Sequence, residues 1–251
     1  MFKSWRIGKL LGFPIEINLS FLILLGLVFV AYGGFVGVMV VGLAFGSVVL
    51  HELGHAVVAR KLGVHVSGIE LGFLGGAAKM TNLPTTANTE LMIAAAGPAV
   101  SLVLGGVGLG LGALLGAPLI SMIGWINLVI AGFNLIPALP MDGGRILRAA
   151  LSKRMSFVRA TDLAVTIARV VAVGFVIWGL SSGAYQLLVL APFLWLMGTR
   201  EKLIARAMAD ERAGYGGREV EVMDRGRDTR MPMRRFTLAH RDGRIVVVPL
   251  D

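Results

Sequence analysis

Two histidines and a glutamate interrupt a long apolar run, and nothing else in the chain constrains it as much. Phe35 to Leu50 carries no charged residue, and the run then meets His51-Glu52-Leu53-Gly54-His55. Helical residues four apart lie on one face a turn apart, so the imidazoles of His51 and His55 can converge on one metal ion with Glu52 beside them. H-E-x-x-H on a helix is a zinc-binding pattern whose glutamate serves as general base. So short a motif also has a bland explanation, two polar side chains hydrogen-bonded inside a core. That explanation weakens here, because an imidazole or carboxylate without a partner in an apolar segment costs several kcal/mol.

Of 251 residues, 56% are hydrophobic and only 16% charged. Such a balance excludes an ordinary soluble domain and predicts an α-helical polytopic membrane protein. Cysteine is absent, which removes disulfides, thiolate zinc sites and cysteine nucleophiles; any metal must be held by histidine and carboxylate. The net charge of +9 comes from basic residues recurring at the ends of apolar segments rather than along one stripe. The charge therefore reads as membrane topology, and nucleic acid is not an expected partner. Met1 to Lys9 is basic, but the apolar stretch after it lacks a small-residue cleavage site, so no cleavable signal peptide is expected.

In chain order, residues 1–15, with Lys3, Arg6, Lys9, Trp5 and Phe13, read as an amphipathic interfacial segment. Six membrane spans are expected over 16–199, at about 16–32, 35–61, 88–115, 118–136, 158–180 and 184–199. Residues 63–83 interleave Val64, Val66, Ile69 and Leu71 with Gly68, Gly72, Gly75 and Gly76, which predicts a membrane-associated β-hairpin after the second span. Residues 200–251 form a short basic tail. There Glu201 to Arg212 continues the last helix, 213–234 is a Gly- and Arg-rich linker, and 236–250 is a hairpin turning at Asp242-Gly243. None of the 24 lysines and arginines falls in the outer connections near 33, 116 and 182, and Arg169 is the deepest of them. Both termini and the metal face are accordingly expected on the cytosolic side of the cell membrane, with the metal roughly 10 Å below that surface.

A catalytic zinc takes three protein ligands and keeps one position open. The first 199 residues hold six carboxylates, Glu16, Glu52, Glu70, Glu90, Asp142 and Asp162, and the chain has four histidines. His65 lies beyond the helix end and His240 in the tail. Glu16, Glu90 and Asp162 sit at span starts, where a carboxylate suits a helix N-terminus, although Glu90 also stands as a rival third ligand. Asp142 follows a span end broken by Pro137 and Pro140, an irregularity tolerated at membrane depth only where it lines a protein cavity. It would also serve as a helix cap, and cap and ligand are not exclusive. In the third span, Gly105, Gly106, Gly108, Gly110 and Gly112 are expected to allow close helix packing.

His51-Glu52-Leu53-Gly54-His55, Gly75-Gly76, Ala94-Ala95-Ala96-Gly97-Pro98 and the stretch from Phe133-Asn134 through Met141-Asp142-Gly143-Gly144-Arg145 together resemble the signature set of the site-2 protease family of intramembrane zinc metalloproteases. Gly12 to Asn18 resembles the opening of its prokaryotic members, including the sporulation-factor-protease-like group. The likeness covers about residues 8–200. It implies one Zn2+ per chain bound by His51, His55 and Asp142, with Glu52 as base and Asn134 holding substrate backbone. The hairpin with Gly75 and Gly76 is expected to clamp an unwound substrate as an added strand. Met141 stands where many relatives have leucine, and the tail is too short for the nucleotide-binding CBS pair that many carry, so adenine-nucleotide control is not expected. The implied reaction is endoproteolysis of a transmembrane segment in a membrane-anchored substrate, regulated intramembrane proteolysis. Such a substrate would be a transcription regulator, its inhibitor or a leftover signal peptide. The expected partners are that substrate and the lipid bilayer; a homo-oligomer or a regulatory membrane partner is left open. The rival from another class is a zinc transporter or channel using the same His and carboxylate site.

Overall fold

The computed structural model describes residues 4–31, 34–72, 75–80, 86–216, 219–220, 235–241 and 244–250. Its contacts divide the chain into two units, Met1–Glu201 and Lys202–Asp251.

The first unit begins with strands rather than a helix. β1 (Ser4–Leu10) and β2 (Phe13–Asn18) form an antiparallel hairpin. Its turn places Leu11 and Gly12 at positive φ, the conformation glycine adopts without a Cβ clash. After it come α1 (Leu19–Ala31), α2 (Phe35–Lys61), β3 (Val66–Gly72) and β4 (Gly75–Met80). The four strands make one sheet in the order β1-β2-β3-β4, with β2 and β3 parallel in the register Ile15↔Ile69 and Ile17↔Leu71. The hairpin expected at 63–83 is therefore present over Val66–Gly72 and Gly75–Met80, as half of a larger sheet; 73–74 and 81–85 lie outside the described residues. The first expected span loses its opening: Glu16 to Asn18 are strand, because the alternation Phe13, Ile15, Ile17 pairs with β3 before the apolar run turns helical.

The rest of the unit is helical: α3 (Ala87–Leu115), α4 (Pro118–Asn134), α5 (Asp142–Ser152), α6 (Phe157–Ser182) and α7 (Gln186–Gly216). The Thr86 side chain caps α3 by accepting from the Thr89 amide, and left-handed Gly116 ends it. α2, α3 and α6 are long and apolar enough to cross a membrane, and α4 is a shorter apolar helix. Outward-facing apolar side chains such as Phe35 and Leu114 are more than three quarters exposed, the surface of a protein made for lipid.

Glycines on one stripe of α3 bring α4 close. A Cβ on Gly105 would meet Leu128, one on Gly108 would meet the Gly124 backbone, and one on Gly112 would meet Ser121. Gly106 and Gly110 face open space, so the expected packing role holds for three of the five. Phe13, Leu53, Ala56, Ala59, Ile69 and Ile93 form a core that seats the sheet on α2 and α3. A second core joins the broken segment at Ala138 and Met141 to α6 and α7.

The second unit carries the end of α7 and a three-stranded antiparallel sheet of β5 (Glu219–Val220), β6 (Arg235–Arg241) and β7 (Arg244–Leu250). The β6–β7 pairing agrees with the hairpin expected at 236–250. The Asp242-Gly243 turn and residues 221–234 of the expected linker lie outside the described residues.

Candidate metal centre

α2 turns one face inward, and Ser47, His51, His55 and Ala59, each four residues after the last, are its buried positions on that face. His51 and His55 are 2% and 3% exposed. Their Nε2 atoms stand 3.3 Å apart, and Asp142 Oδ2 lies 3.0 Å from both. Asp142 is the first residue of α5, and the N-cap position falls to Met141, so Asp142 does not occupy the cap position expected for it as one of two roles. Gly143 and Gly144 let α5 start hard against the preceding loop, since a Cβ on either would overlap the backbone of Leu135, Ile136 or Ala138.

The chemistry of these donors calls for a cation. The Ile93 carbonyl, which can only accept, lies 2.6 Å from His55 Nδ1, so that nitrogen carries the proton and Nε2 presents a lone pair. The same lone pair faces a carboxylate oxygen and a second imidazole nitrogen. With both rings neutral and protonated at Nδ1 the three atoms are all acceptors, and a cation among them relieves their repulsion. Donors around a tetrahedral zinc, each about 2.0–2.1 Å from the ion, stand about 3.3 Å apart. Separations of 3.0–3.3 Å match one face of that tetrahedron, and the residues present fit the ion.

The partners that aim the two histidines both come from α3. Ser101 Oγ lies 2.9 Å from His51 Nδ1 and the Ile93 carbonyl receives His55 Nδ1, contacts that orient both rings and set the proton on His55 Nδ1. Gly97 lies between them, directly beneath the imidazoles; a Cβ there would stand 2.6 Å from His51 Nε2 and would overlap the His55 ring.

Glu52 faces the sheet. Its Oε2 accepts the Ala78 amide of β4 at 3.1 Å, and Gly76 has no room for a Cβ beside the Glu52 Cγ and Val48. His51, Glu52 and His55 form a group whose ligand atoms lie within 4.8 Å of one another. Glu52, His55 and Asp142 open onto a cleft of about 960 Å3, which Asn134 and Gly75-Gly76 also line. The positions expected to hold substrate thus share one cavity with Glu52, His55 and Asp142. Asn134 uses its Nδ2 on the Ile130 carbonyl of its own helix.

The other carboxylates and histidines go elsewhere. Glu90 is 5% exposed and bound to Arg148. That contact commits it to Arg148 rather than to the metal centre; it does lie in the first turn of α3, as expected, but buried rather than at an interface. Glu16 belongs to β2 and, with Glu70, holds Lys79. His65 is exposed beyond α2 and Asp162 lies within α6. Gly97, Ser101, Ala78 and Arg148 were not foreseen as site residues. Only Gly97-Pro98, an unusual pair inside an apolar helix, carried a signal.

Fold and site together define an H-E-x-x-H metal centre set among apolar helices and faced by the edge of a small sheet. The pattern of Peptidase family M50 matches residues 38–117 and 113–175, together more than half of the chain, and the chain belongs to that family, the site-2 proteases. It is 39% identical over 210 residues to a zinc metalloprotease of Methanocaldococcus jannaschii, covering 80% of this chain and 61% of that one. It is also 39% identical over 168 residues to a protein of Synechocystis sp. named as a zinc metalloprotease, covering 59% and 44%. The solved site-2 protease from Methanocaldococcus jannaschii matches with a TM-score of 0.63 at 35% identity, over 90% of this chain and all of that one. The chain spans between two fifths and two thirds of the length of these curated relatives.

Proposed function

We propose that this chain is a zinc-dependent intramembrane endopeptidase that cuts a transmembrane segment of a membrane-anchored substrate. One observation carries the reading: a base, Glu52, stands beside a three-donor metal centre on a cleft that a strand edge also lines. His51, His55 and Asp142 would hold the ion. Zinc bound there supplies Lewis acidity, polarising a carbonyl and making water nucleophilic near neutral pH. Glu52, steadied at one oxygen by the Ala78 amide, takes the water's proton and returns it to the leaving amine, so the proton count closes over a turnover.

A substrate helix has no free carbonyl to offer and must unwind first. β4 is the edge of its sheet, and an extended segment laid along it would receive backbone hydrogen bonds in place of those lost. Asn134, which lines the same cleft, would hold the segment's other side. Six crossings fit this arrangement: α2, α3 and α6 with full-length spans, and α1, α4 and the apolar first half of α7 with shorter ones. The cleft then faces the cytosol, the side that carries the basic residues. Zinc conduction would leave Glu52 and the strand edge without a task.

The test is cleavage of a single-span substrate in detergent alongside metal analysis. Glu52→Gln should keep one zinc per chain and lose cleavage by at least about 100-fold, the scale of general-base catalysis. Asp142→Ala should lose zinc as well. A Glu52→Gln protein that cuts at the normal rate ends the proposal.

A further inference from the structure

The one face of α3 that aims both histidines reaches one step further. Glu90, Ile93, Gly97 and Ser101 follow at intervals of three, four and four, which places them along a single stripe of that helix. Ile93 sets His55, Gly97 makes room for both rings and Ser101 sets His51. Glu90, at the end of the stripe, touches neither histidine. Its Oε1 accepts from Arg148 Nε at 2.8 Å and also from Nη2.

Arg148 stands on α5, six residues after Asp142 and so about 9 Å along the helix. Both Glu90 and Arg148 are more than nine-tenths buried. Glu201 of α7 takes Arg148 Nη1 at 2.8 Å, and the guanidinium lies 5.0 Å from the Phe157 ring of α6. At its other end α5 has no slack, because Gly143 and Gly144 press on the backbone of 135–138. The helix that delivers the third donor is therefore held at two points, and its only buried ionic hold on α3 among the described residues is Glu90.

We infer that Glu90 and Arg148 are positioning residues for the metal centre, setting the placement of α5 so that Asp142 Oδ2 meets the two Nε2 atoms that the same face of α3 has aimed. Neither residue touches the ion or the substrate. The inference rests on the metal-binding half of the function proposed above, and it adds a ligand-orienting pair that the H-E-x-x-H motif does not contain.

The experiment is zinc affinity by chelator competition on the full-length purified protein, read together with thermal unfolding of the same samples without added zinc. Glu90→Gln keeps shape and one hydrogen bond, and Arg148→Lys keeps the charge but not the fork. Each should weaken zinc binding about 10- to 100-fold, the range for partners that orient metal ligands, and a Lys202→Ala control should bind as wild type does. The reciprocal pair Glu90→Arg with Arg148→Glu should recover part of the lost affinity. If Glu90→Gln and Arg148→Lys bind zinc like wild type while only melting earlier, the pair is a structural tie and the inference fails. Should wild type itself take up no zinc, the proposed function fails, whatever these variants do.

Discussion

This molecule twice places one cation between two carboxylates. On the sheet, Lys79 of β4 reaches Glu16 of β2 and Glu70 of β3, both at 2.8 Å. Among the helices, Arg148 of α5 reaches Glu90 of α3 and Glu201 of α7. The distances are alike and the settings are not: the Lys79 side chain is 40% exposed and that of Arg148 is 9%. In water a lysine and two carboxylates lose little when parted, whereas a guanidinium without its carboxylates in a packed interior has nothing to replace them. The exposed trio tunes a strand edge. The buried trio holds helices in one arrangement, and the difference follows from dielectric rather than geometry.

Arg148→Ala should open the widest gap between the two. It leaves Glu90 charged and buried, at a cost of about 3–5 kcal/mol, measurable as a fall in unfolding free energy in detergent. An equal loss from Lys79→Ala would erase the contrast. Gly97→Ala breaks the same α3 face without removing a charge. Its Cβ would press on both imidazoles, and overpacking of this kind costs about 1–3 kcal/mol; zinc occupancy should fall with it, and an unchanged metal content would show that α3 can retreat. Lys79→Ala should cost no more than about 1 kcal/mol, diminishing further in high salt.

The smallest effect is on pH. Lys79, hydrogen-bonded to Glu70, holds that carboxyl below its ordinary range, so this contribution is complete above the unfolded value and is lost as pH falls through the lowered one. Glu16 and then Glu70 raise Lys79 above its usual range; its share is complete below the unfolded value and fades only as pH rises through the raised one. The protection of the β4 amides, their exchange rate taken relative to the unfolded chain at the same pH, should therefore stay level through neutral pH and fall below about pH 4 and above about pH 10.5. A change near neutrality would contradict this assignment.

The centre of the site was readable because it is local: His51, Glu52 and His55 fall on one helical turn, and an apolar run makes them conspicuous. Asp142 was reachable because few carboxylates were available and because its prolines and glycines mark an irregular backbone. What escaped reading depends on distant partners. Glu90 looks like any acidic residue in a first helical turn, and Arg148 like part of a short basic helix. Their pairing appears only when α3 and α5 are side by side. The opening strands were masked by the apolar run that follows, which swallowed Glu16 to Asn18 into a span. Ala78 had no signal, since a backbone amide contributes to the site whatever side chain it bears. Arg169, expected to be the deepest basic residue, stacks 4.6 Å from the Trp195 ring, a cation–π contact that spacing within one helix does not announce.

The parallel pairing of β2 with β3 has a consequence for how the chain is threaded through a bilayer. Two strands that share hydrogen bonds occupy the same compartment, and between Asn18 and Val66 the chain contains α1 and α2. The number of crossings in that interval must be even. Either both helices traverse the lipid or neither does, so the proposed crossing by the 27-residue α2 requires one by the short α1. In the proposed topology thirteen residues of helix are the return leg of a round trip, and reporters attached at the two ends of the interval are expected to emerge on one side.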